Sequence, residues 1–223
     1  MKTIKELKNR IDELISEDNI VVITPHKGCD VDAISSCIAM KMICEKMKVK
    51  AYILMMEPKL RIENSVKMIL DELPESIKLI DLQEMRDLIE GKKSLLIAMD
   101  VNKEELIPVD DLELFKNILV IDHHDIGETT VKTDDLFIDV SSSSTCEIMY
   151  KLLDNYQIDL HLLPNLANYL LSGISLDTAK FTNNRTTSTT MKIVADLLKK
   201  GGDLNYANDL FIDDYEKDMK YLD

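Results

Sequence analysis

One histidine and two aspartates lie within seven residues, directly after a short apolar run. The segment is PHKGCDVDA at residues 25–33, which contains His26, Asp30 and Asp32. Gly28 permits a sharp turn, and the i, i+2 spacing of the two aspartates lets them reach two neighbouring cations. An imidazole together with carboxylates is a donor set suited to divalent metals, although a solvated turn is the alternative.

Other titratable residues follow other apolar segments. Asp100 comes directly after one apolar run, the triplet Asp122-His123-His124 ends another, and Asp177 follows a helical pattern. Charged groups at the ends of buried strands are costly unless they are paired, hydrogen-bonded or metal-bound, so their coincidence favours one shared site. Taken alone, Asp100 fits a helix cap and Asp177 fits a helix-terminal aspartate.

Short apolar runs alternate with helical patterns in the first half of the chain. The runs occupy residues 20–23, 51–54, 77–80, 95–98 and 118–121, and the helical patterns occupy 3–17, 32–47, 62–72 and 82–90. This alternation predicts βαβ units, whose strands are parallel and covered on both faces. Ligands of such sheets bind beyond the carboxyl ends of the strands, where the titratable residues stand.

The second half of the chain is predicted to be helical. Its helical patterns occupy residues 143–155, 161–176, 187–200 and about 204–210. Serines precede the first pattern and two glycines follow the third, as is usual at helix ends. We therefore expect an α/β fold with a doubly wound, mostly parallel sheet of about five strands, flanked by helices and followed by a helical C-terminal half.

Composition limits the partners. The chain has 223 residues and a net charge of −14, which argues against binding to long nucleic acids because these require clustered basic residues. A small phosphorylated substrate remains compatible, since bound divalent cations reverse the local charge. The four cysteines lack CxxC spacing, and neither a secretory segment nor a membrane-length apolar run is evident. We expect a reduced, cytoplasmic chain.

The four segments together resemble the motifs of the DHH phosphoesterases in order and spacing. They are residues 26–33, Asp100, residues 122–124 and residues 173–181. The family includes exonucleases, oligoribonucleases and cyclic-dinucleotide phosphodiesterases. The resemblance covers about residues 18–215. The segments SSTCE at 143–147 and RTTS at 185–188 make the chain similar to the catalytic domain of the membrane-anchored GdpP-type cyclic di-AMP phosphodiesterases.

The resemblance implies two Mn²⁺ ions, with Mg²⁺ or Co²⁺ as alternatives. The first ion would have the ligands His26, Asp30 and Asp100, and the second would have Asp32, Asp100, His123 and Asp177. Asp100 would bridge the two ions. His124, Asp100 and Asp122 are the implied catalytic residues, and the implied substrate contacts are His124, Ser143, Ser144 and Arg185.

The resemblance also implies domain boundaries. We expect an N-terminal helix at 1–17, a DHH catalytic domain (the N-terminal domain of these phosphoesterases) at 18–215 and the start of a linker at 216–223. Family members continue with a smaller substrate-binding domain that has a glycine-rich motif, and no such motif occurs here. A fragment or a short natural form is therefore expected, which leaves room for a membrane anchor in a longer parent protein and for a homodimer.

The function that the resemblance implies is manganese-dependent hydrolysis of cyclic di-AMP to the linear dinucleotide. One alternative is an oligoribonuclease or a 3′-phosphoadenosine phosphatase of the same superfamily. Another is a metal-binding domain that is inactive without its second domain. An inorganic pyrophosphatase is less favoured, because those relatives generally vary the second histidine of the triplet, which is His124 here.

Overall fold

A parallel β-sheet forms the centre of the protein. The computed structural model describes residues 3–16, 19–55 and 62–211. Its strands are β1 (Ile20–Thr24), β2 (Lys50–Leu54), β3 (Leu79–Ile80), β4 (Ser94–Met99), β5 (Asn117–Asp122) and β6 (Asp135–Ile138). They form one six-stranded sheet in the order β3-β2-β1-β4-β5-β6, and each neighbouring pair is parallel. The chain order reverses between β1 and β4, so their carboxyl ends flank the topological switch point.

Helices cover the sheet and form the second half of the chain. They are α1 (Ile4–Leu14), α2 (Val31–Lys46), α3 (Asn64–Glu72), α4 (Leu82–Ile89), α5 (Thr145–Asn155), α6 (Leu166–Asp177), α7 (Ser188–Lys199) and α8 (Leu204–Asp209). None of the helices in the described ranges combines the length and apolar composition that crossing a membrane requires. The predicted end of the catalytic domain, up to residue 215, and the predicted linker at 216–223 lie outside the described residues, which end at residue 211.

The prediction of a doubly wound parallel sheet is confirmed, but the number of strands is six rather than five. The missed strand, β6, contains only three consecutive apolar residues, Leu136, Phe137 and Ile138. It lies at the edge of the sheet beside β5, and its side chains alternate between buried and half-buried. A short edge strand needs a less continuous apolar run than a central strand, so the sequence pattern does not indicate β6.

One predicted helix begins five residues later than expected. The pattern at 161–176 predicted a single helix, whereas α6 begins at Leu166 and a separate 3-10 turn occupies Leu160–Leu162. Pro164 separates them, because proline lacks an N–H and clashes with the preceding turn of a helix interior. Asn165 then enters α6 with a φ of +63°.

Helix α2 lies in the core rather than on the surface. All residues from Val31 to Cys44 are buried, and the helix packs against α5, α6 and β2. A helix that is apolar on nearly every side is typical of a core position. Because α2 follows β1 and α6 packs along it, the first turn of α2 and the last turn of α6 are held in fixed positions near the switch point.

Candidate metal centre

Asp100 occupies the centre of the candidate site in a strained backbone conformation. It follows β4 directly, has a φ of +60° and is 4% exposed. Its N–H donates to the carbonyl of Ile121 at 2.9 Å, which ties the ends of β4 and β5 together. A non-glycine residue in this region costs roughly 1 kcal/mol or more, and such strain is concentrated at functional sites. The helix-cap alternative for Asp100 is not what the structure contains.

The segment after β1 brings His26 and Asp30 to the same place. His26 Nε2 lies 3.7 Å from Asp30 Oδ2 and 3.8 Å from Asp100 Oδ2. The other ring nitrogen, Nδ1, is 2.8 Å from the carbonyl of Lys27. That contact assigns the proton of neutral His26 to Nδ1 and leaves Nε2 as a lone-pair donor, which is the usual arrangement of a metal-binding imidazole.

Asp30 and Asp32 belong to helix α2 rather than to a loop. Asp30 is the N-cap, and its Oδ1 accepts from the Ala33 N–H at 2.9 Å. Asp32 lies in the first turn and is fully buried. Gly173 of α6 faces it so closely that an added Cβ would come within 2.7 Å of Asp32 Oδ1. The absence of a side chain at this glycine therefore permits the approach of α6.

The histidine pair follows β5. His123 is 3% exposed, and its Nε2 lies 3.0 Å from Asp177 Oδ2 and 3.4 Å from Asp100 Oδ1. Despite the short distance, Nε2 has no correctly aligned hydrogen bond among the described residues. A buried ring nitrogen that faces carboxylate oxygens without a proper hydrogen bond has the surroundings of a metal ligand.

His124 is held by the first residue of the triplet. Its Nδ1 lies 2.8 Å from Asp122 Oδ1, and Asp122 is fully buried at the end of β5. Asn102 donates from Nδ2 to the other oxygen of Asp122 at 2.7 Å. The imidazole of His124, with a side chain that is 48% exposed, is therefore fixed at one nitrogen while it borders the open cavity.

The potential ligand atoms form compact groups. In each group the atoms lie within 4.8 Å of one another. We call His26, Asp30 and Asp100 the first donor set, and Asp32, His123 and Asp177 the second donor set. A third group, centred on the triplet, comprises Asp100, Asp122, His123 and His124. All six predicted metal ligands are thus brought together; their role as ligands stays a prediction.

The electrostatics of the two donor sets favour bound cations. Burial, followed by repulsion from Asp100 and Asp177, raises the pKa of Asp32 well above its ordinary value. Burial acts to lower the pKa of His123, but contacts with Asp100 and Asp177 outweigh it and raise that pKa to about 11. Burial also acts to lower the pKa of His26, but the contact with Asp30 outweighs it and raises that pKa to about 9. Buried carboxylates that repel one another are a suitable environment for divalent cations.

A cavity of about 530 Å³ opens above the centre. Besides residues of both donor sets, it is lined by Asn102, Lys103 and Leu106, which the sequence analysis did not single out. The sequence signal of Asn102 and Lys103 is weak, because a polar pair three and four residues after a strand end is common in loops. Lys103 is exposed, and it adds a permanent positive charge to the lining of the cavity.

Asp177 and Arg185 are joined by an unusual turn. Ala179, Lys180 and Phe181 all have positive φ values, of 48°, 57° and 66°. The turn ends near Arg185, whose Nη1 lies 3.4 Å from Asp177 Oδ2 and 3.2 Å from His123 Nδ1. Arg185 therefore borders the second donor set, as a side chain that could contact an anionic substrate.

The two serines predicted to contact substrate have other partners. The Ser143 hydroxyl donates to Glu147 Oε2 at 2.7 Å, and both serines are buried. Ser144 is the N-cap of α5 and accepts from the Glu147 N–H at 3.1 Å. Their substrate contacts stay a prediction, and their observed contacts are those of a helix N-terminus.

The fold and the site define the class of protein. Residues 20–174 match the family model described as "DHH family, N-terminal domain", and the chain belongs to that family. The family membership of the chain and the relatives described below identify it as a hydrolase domain of the phosphoesterase type.

Three relatives cover most of the chain. It is 32% identical to the cyclic-di-AMP phosphodiesterase PdeA of Listeria monocytogenes and 29% identical to the cyclic-di-AMP phosphodiesterase GdpP of Bacillus subtilis, over 88% of this chain and 30% of each relative. It is also 26% identical to the "probable manganese-dependent inorganic pyrophosphatase" of Archaeoglobus fulgidus, over 83% of this chain and 57% of that protein. The chain thus spans less than a third of the two phosphodiesterases.

A solved structure has the same fold. An exopolyphosphatase-related protein from Bacteroides fragilis superimposes with a TM-score of 0.72, at 21% identity, over 93% of this chain and 59% of that chain. The likeness supports the parallel-sheet architecture, and at this identity it carries no argument about the substrate.

Proposed function

We propose that this domain is a two-cation phosphodiesterase that hydrolyses cyclic di-AMP to the linear dinucleotide. The observation that carries the proposal is the convergence of both donor sets on Asp100, with Asp100 Oδ2 3.8 Å from His26 Nε2 and Asp100 Oδ1 3.4 Å from His123 Nε2. One carboxylate thus offers an oxygen to each set, as a bridging ligand would.

The donor chemistry fits manganese. Imidazole nitrogens and carboxylate oxygens suit Mn²⁺, whereas thiolates would favour zinc or iron–sulfur clusters. The first donor set would hold one ion, and the second donor set, with Asp100, would hold the other. When bound, two such ions lower the pKa of a water molecule and withdraw electron density from phosphoryl oxygens.

The side chains around the donor sets orient the substrate. Asp122 raises the pKa of His124 through their hydrogen bond, so the protonated imidazole can donate from Nε2 to a phosphate oxygen. Asn102 keeps Asp122 in place at 2.7 Å. Arg185 adds a second charged donor beside Asp177. These residues together would neutralise the charge that builds up on the phosphate during hydrolysis.

The cavity and the relatives support the proposed substrate class. A cavity of about 530 Å³ is within the range that holds small molecules. The two phosphodiesterase relatives are named for cyclic di-AMP, and the pyrophosphatase relative supplies a second candidate, inorganic pyrophosphate. The intact His124 and its bond to Asp122 favour the first candidate.

Turnover by the purified chain tests the proposal. We expect Mn²⁺-dependent conversion of cyclic di-AMP to the linear dinucleotide, measured by chromatography and abolished by a chelator. The same assay with a linear dinucleotide, 3′-phosphoadenosine phosphate and pyrophosphate separates the alternatives, because the preferred substrate has the highest kcat/KM. Mn²⁺ binding without any turnover would instead favour a domain that needs a second domain for catalysis.

The variant Asp100→Asn tests the bridging role. It keeps the size of the side chain but removes the charge shared by both donor sets, so we expect kcat to fall by roughly 100-fold or more. Asp154→Asn is the matched control, because Asp154 is an exposed aspartate of α5. Full activity of Asp100→Asn would refute the assignment.

A further inference from the structure

The N-terminus of α5 contacts two of the carboxylates that the proposed function assigns to cations. Thr145 is fully buried at the first position of α5, and its hydroxyl donates to Asp100 Oδ1 at 2.8 Å. Its backbone N–H donates to Asp32 Oδ2, also at 2.8 Å. A single residue therefore contacts the carboxylate that follows β4 and one carboxylate from α2.

Asp32 is bound at both of its oxygens. While Thr145 holds Oδ2, the N–H of Cys146 donates to Oδ1 at 2.9 Å. On the opposite side, Gly173 packs closely against Asp32, because a Cβ there would lie 2.5 Å from Cys146 Sγ and 2.7 Å from Asp32 Oδ1. The orientation of Asp32 is thus set by α5 and α6 together. Each oxygen keeps a further lone pair for a cation.

The hydroxyl of Thr145 holds one oxygen of Asp100 through a hydrogen bond. The oxygen that accepts from it is also the one 3.4 Å from His123 Nε2, a buried atom without an aligned hydrogen bond among the described residues. Without the hydroxyl, the carboxylate could rotate about its terminal torsion, which has broad energy wells. Both oxygens of Asp100 would then leave the positions that face the two donor sets.

We propose that Thr145 is a positioning residue that presents Asp100 and Asp32 to the two cations, an inference that rests on the proposed function. Groups that orient metal ligands through hydrogen bonds typically change metal affinity by about 10- to 100-fold when they are removed. Thr145 itself touches neither substrate nor cation in this role. Its effect is transmitted through the carboxylates.

Thr145→Val removes the hydroxyl and keeps the branched shape and the backbone N–H. We expect its Mn²⁺ dissociation constant, measured by isothermal titration calorimetry on the whole chain, to rise roughly tenfold or more. Thr145→Ser restores the hydroxyl and should bind Mn²⁺ within about threefold of the unmodified chain, a factor far below the tenfold of a lost orienting group. Circular dichroism establishes that each variant is folded at the temperature of the titration.

Thr190→Val is the matched control. Thr190 is also fully buried, and its hydroxyl donates to a buried carboxylate, Glu147 Oε2, at the same 2.8 Å. Glu147 belongs to neither donor set. We expect this variant to lose stability while its Mn²⁺ affinity stays unchanged.

The outcomes separate this inference from the proposed function. If the unmodified chain binds no Mn²⁺, the proposed function fails and the inference fails with it. If the unmodified chain binds Mn²⁺ and Thr145→Val binds it equally well, only the inference is overturned. The inference is also overturned if Thr190→Val weakens Mn²⁺ binding as much as Thr145→Val does, or if a folded Thr145→Ser binds Mn²⁺ more weakly than the unmodified chain. A folded Thr145→Ser that binds Mn²⁺ more weakly overturns the inference even if Thr145→Val does not fold.

Discussion

Single residues at this site are constrained by close contacts with other parts of the chain. Gly173 is the clearest case, because its missing side chain is what allows α6 to approach Asp32. Asp100 is a second case, since its φ of +60° is unusual for any residue other than glycine and is tolerated best by aspartate and asparagine. At both positions the residue type follows from geometry as much as from chemistry.

We therefore predict that Gly173→Ala lowers the free energy of unfolding by about 1–3 kcal/mol, the usual cost of overpacking a core. The added Cβ would meet Cys146 Sγ at 2.5 Å and the Asp32 Cα at 3.0 Å. Urea denaturation measures the change. Gly127→Ala is the control, because nothing lies within 4 Å of its added Cβ. Equal stability of both variants would show that α6 can shift at no cost.

A second prediction at this scale concerns pH and the buried Glu147. Burial alone would raise its pKa, but hydrogen bonds from Lys151, Ser143 and Thr190 outweigh burial and lower the pKa below its ordinary value. A lowered carboxyl pKa contributes stability that is present above the unfolded pKa of about 4.3 and is lost as the pH falls through the folded value.

Stability should therefore fall more steeply below about pH 4.3 in the unmodified chain than in Glu147→Gln, whose side chain does not titrate. Urea denaturation at pH 7, 5 and 3.5 measures the two slopes. Glu75→Gln, at an exposed position, serves as the control and should follow the unmodified chain. Parallel curves for Glu147→Gln and the unmodified chain would contradict the prediction.

Among the elements, helix α2 connects the core to the site. Its N-cap is Asp30, its first turn carries Asp32, and its remaining length packs against α5 and α6. The other contributors, β1, β4, β5 and α6, deliver their residues at or just after their carboxyl ends. The site is therefore built on regular elements rather than on long loops, which favours a precise arrangement of ligands.

Loss of packing in α2 should destabilise the whole domain. Ile38 is fully buried in this helix, and Ile38→Ala should cost about 2–5 kcal/mol of unfolding free energy, because it removes buried methyl groups and leaves a cavity. Met191→Ala on α7 should change the unfolding free energy by less than about 1 kcal/mol, since Met191 is 48% exposed. Thermal unfolding monitored by circular dichroism compares the two, and similar losses would contradict a central role for α2.

At the scale of the whole molecule, charge is the dominant property. The net charge is −14, and several of the carboxylates are concentrated at one edge of the sheet. Self-repulsion of this kind weakens the compact state, and cations that bind only the folded chain offset it. Folding and cation binding should therefore be linked.

We predict that Mn²⁺ raises the melting temperature and that a chelator reverses the change. At a concentration 100 times the dissociation constant, one bound ion adds about 2.7 kcal/mol to the unfolding free energy. Differential scanning calorimetry with and without Mn²⁺ measures the shift, with NaCl of equal ionic strength as the control for screening. In Asp100→Asn the shift should shrink, and an equal shift there would indicate non-specific binding.

The sequence by itself determined the order of the elements and the residues that stand at their ends. The β-branched runs and helical periods predicted five of the six strands and the helical second half, because these patterns depend on neighbours close in the chain. The positions of His26, Asp100 and Asp122 after apolar runs indicated one common edge, since parallel strands end at the same side of a sheet.

Only the tertiary structure decided the contacts that hold these residues. The bond between Asn102 and Asp122, the backbone N–H groups that bind Asp32, and the approach of Gly173 each join segments that are distant in the chain. Packing likewise settled the edge strand β6. The late start of α6 is different, because Pro164 is a local signal that the sequence itself contains. Backbone donors leave no residue-type signal in a sequence, so their partners become visible only when the elements are packed together.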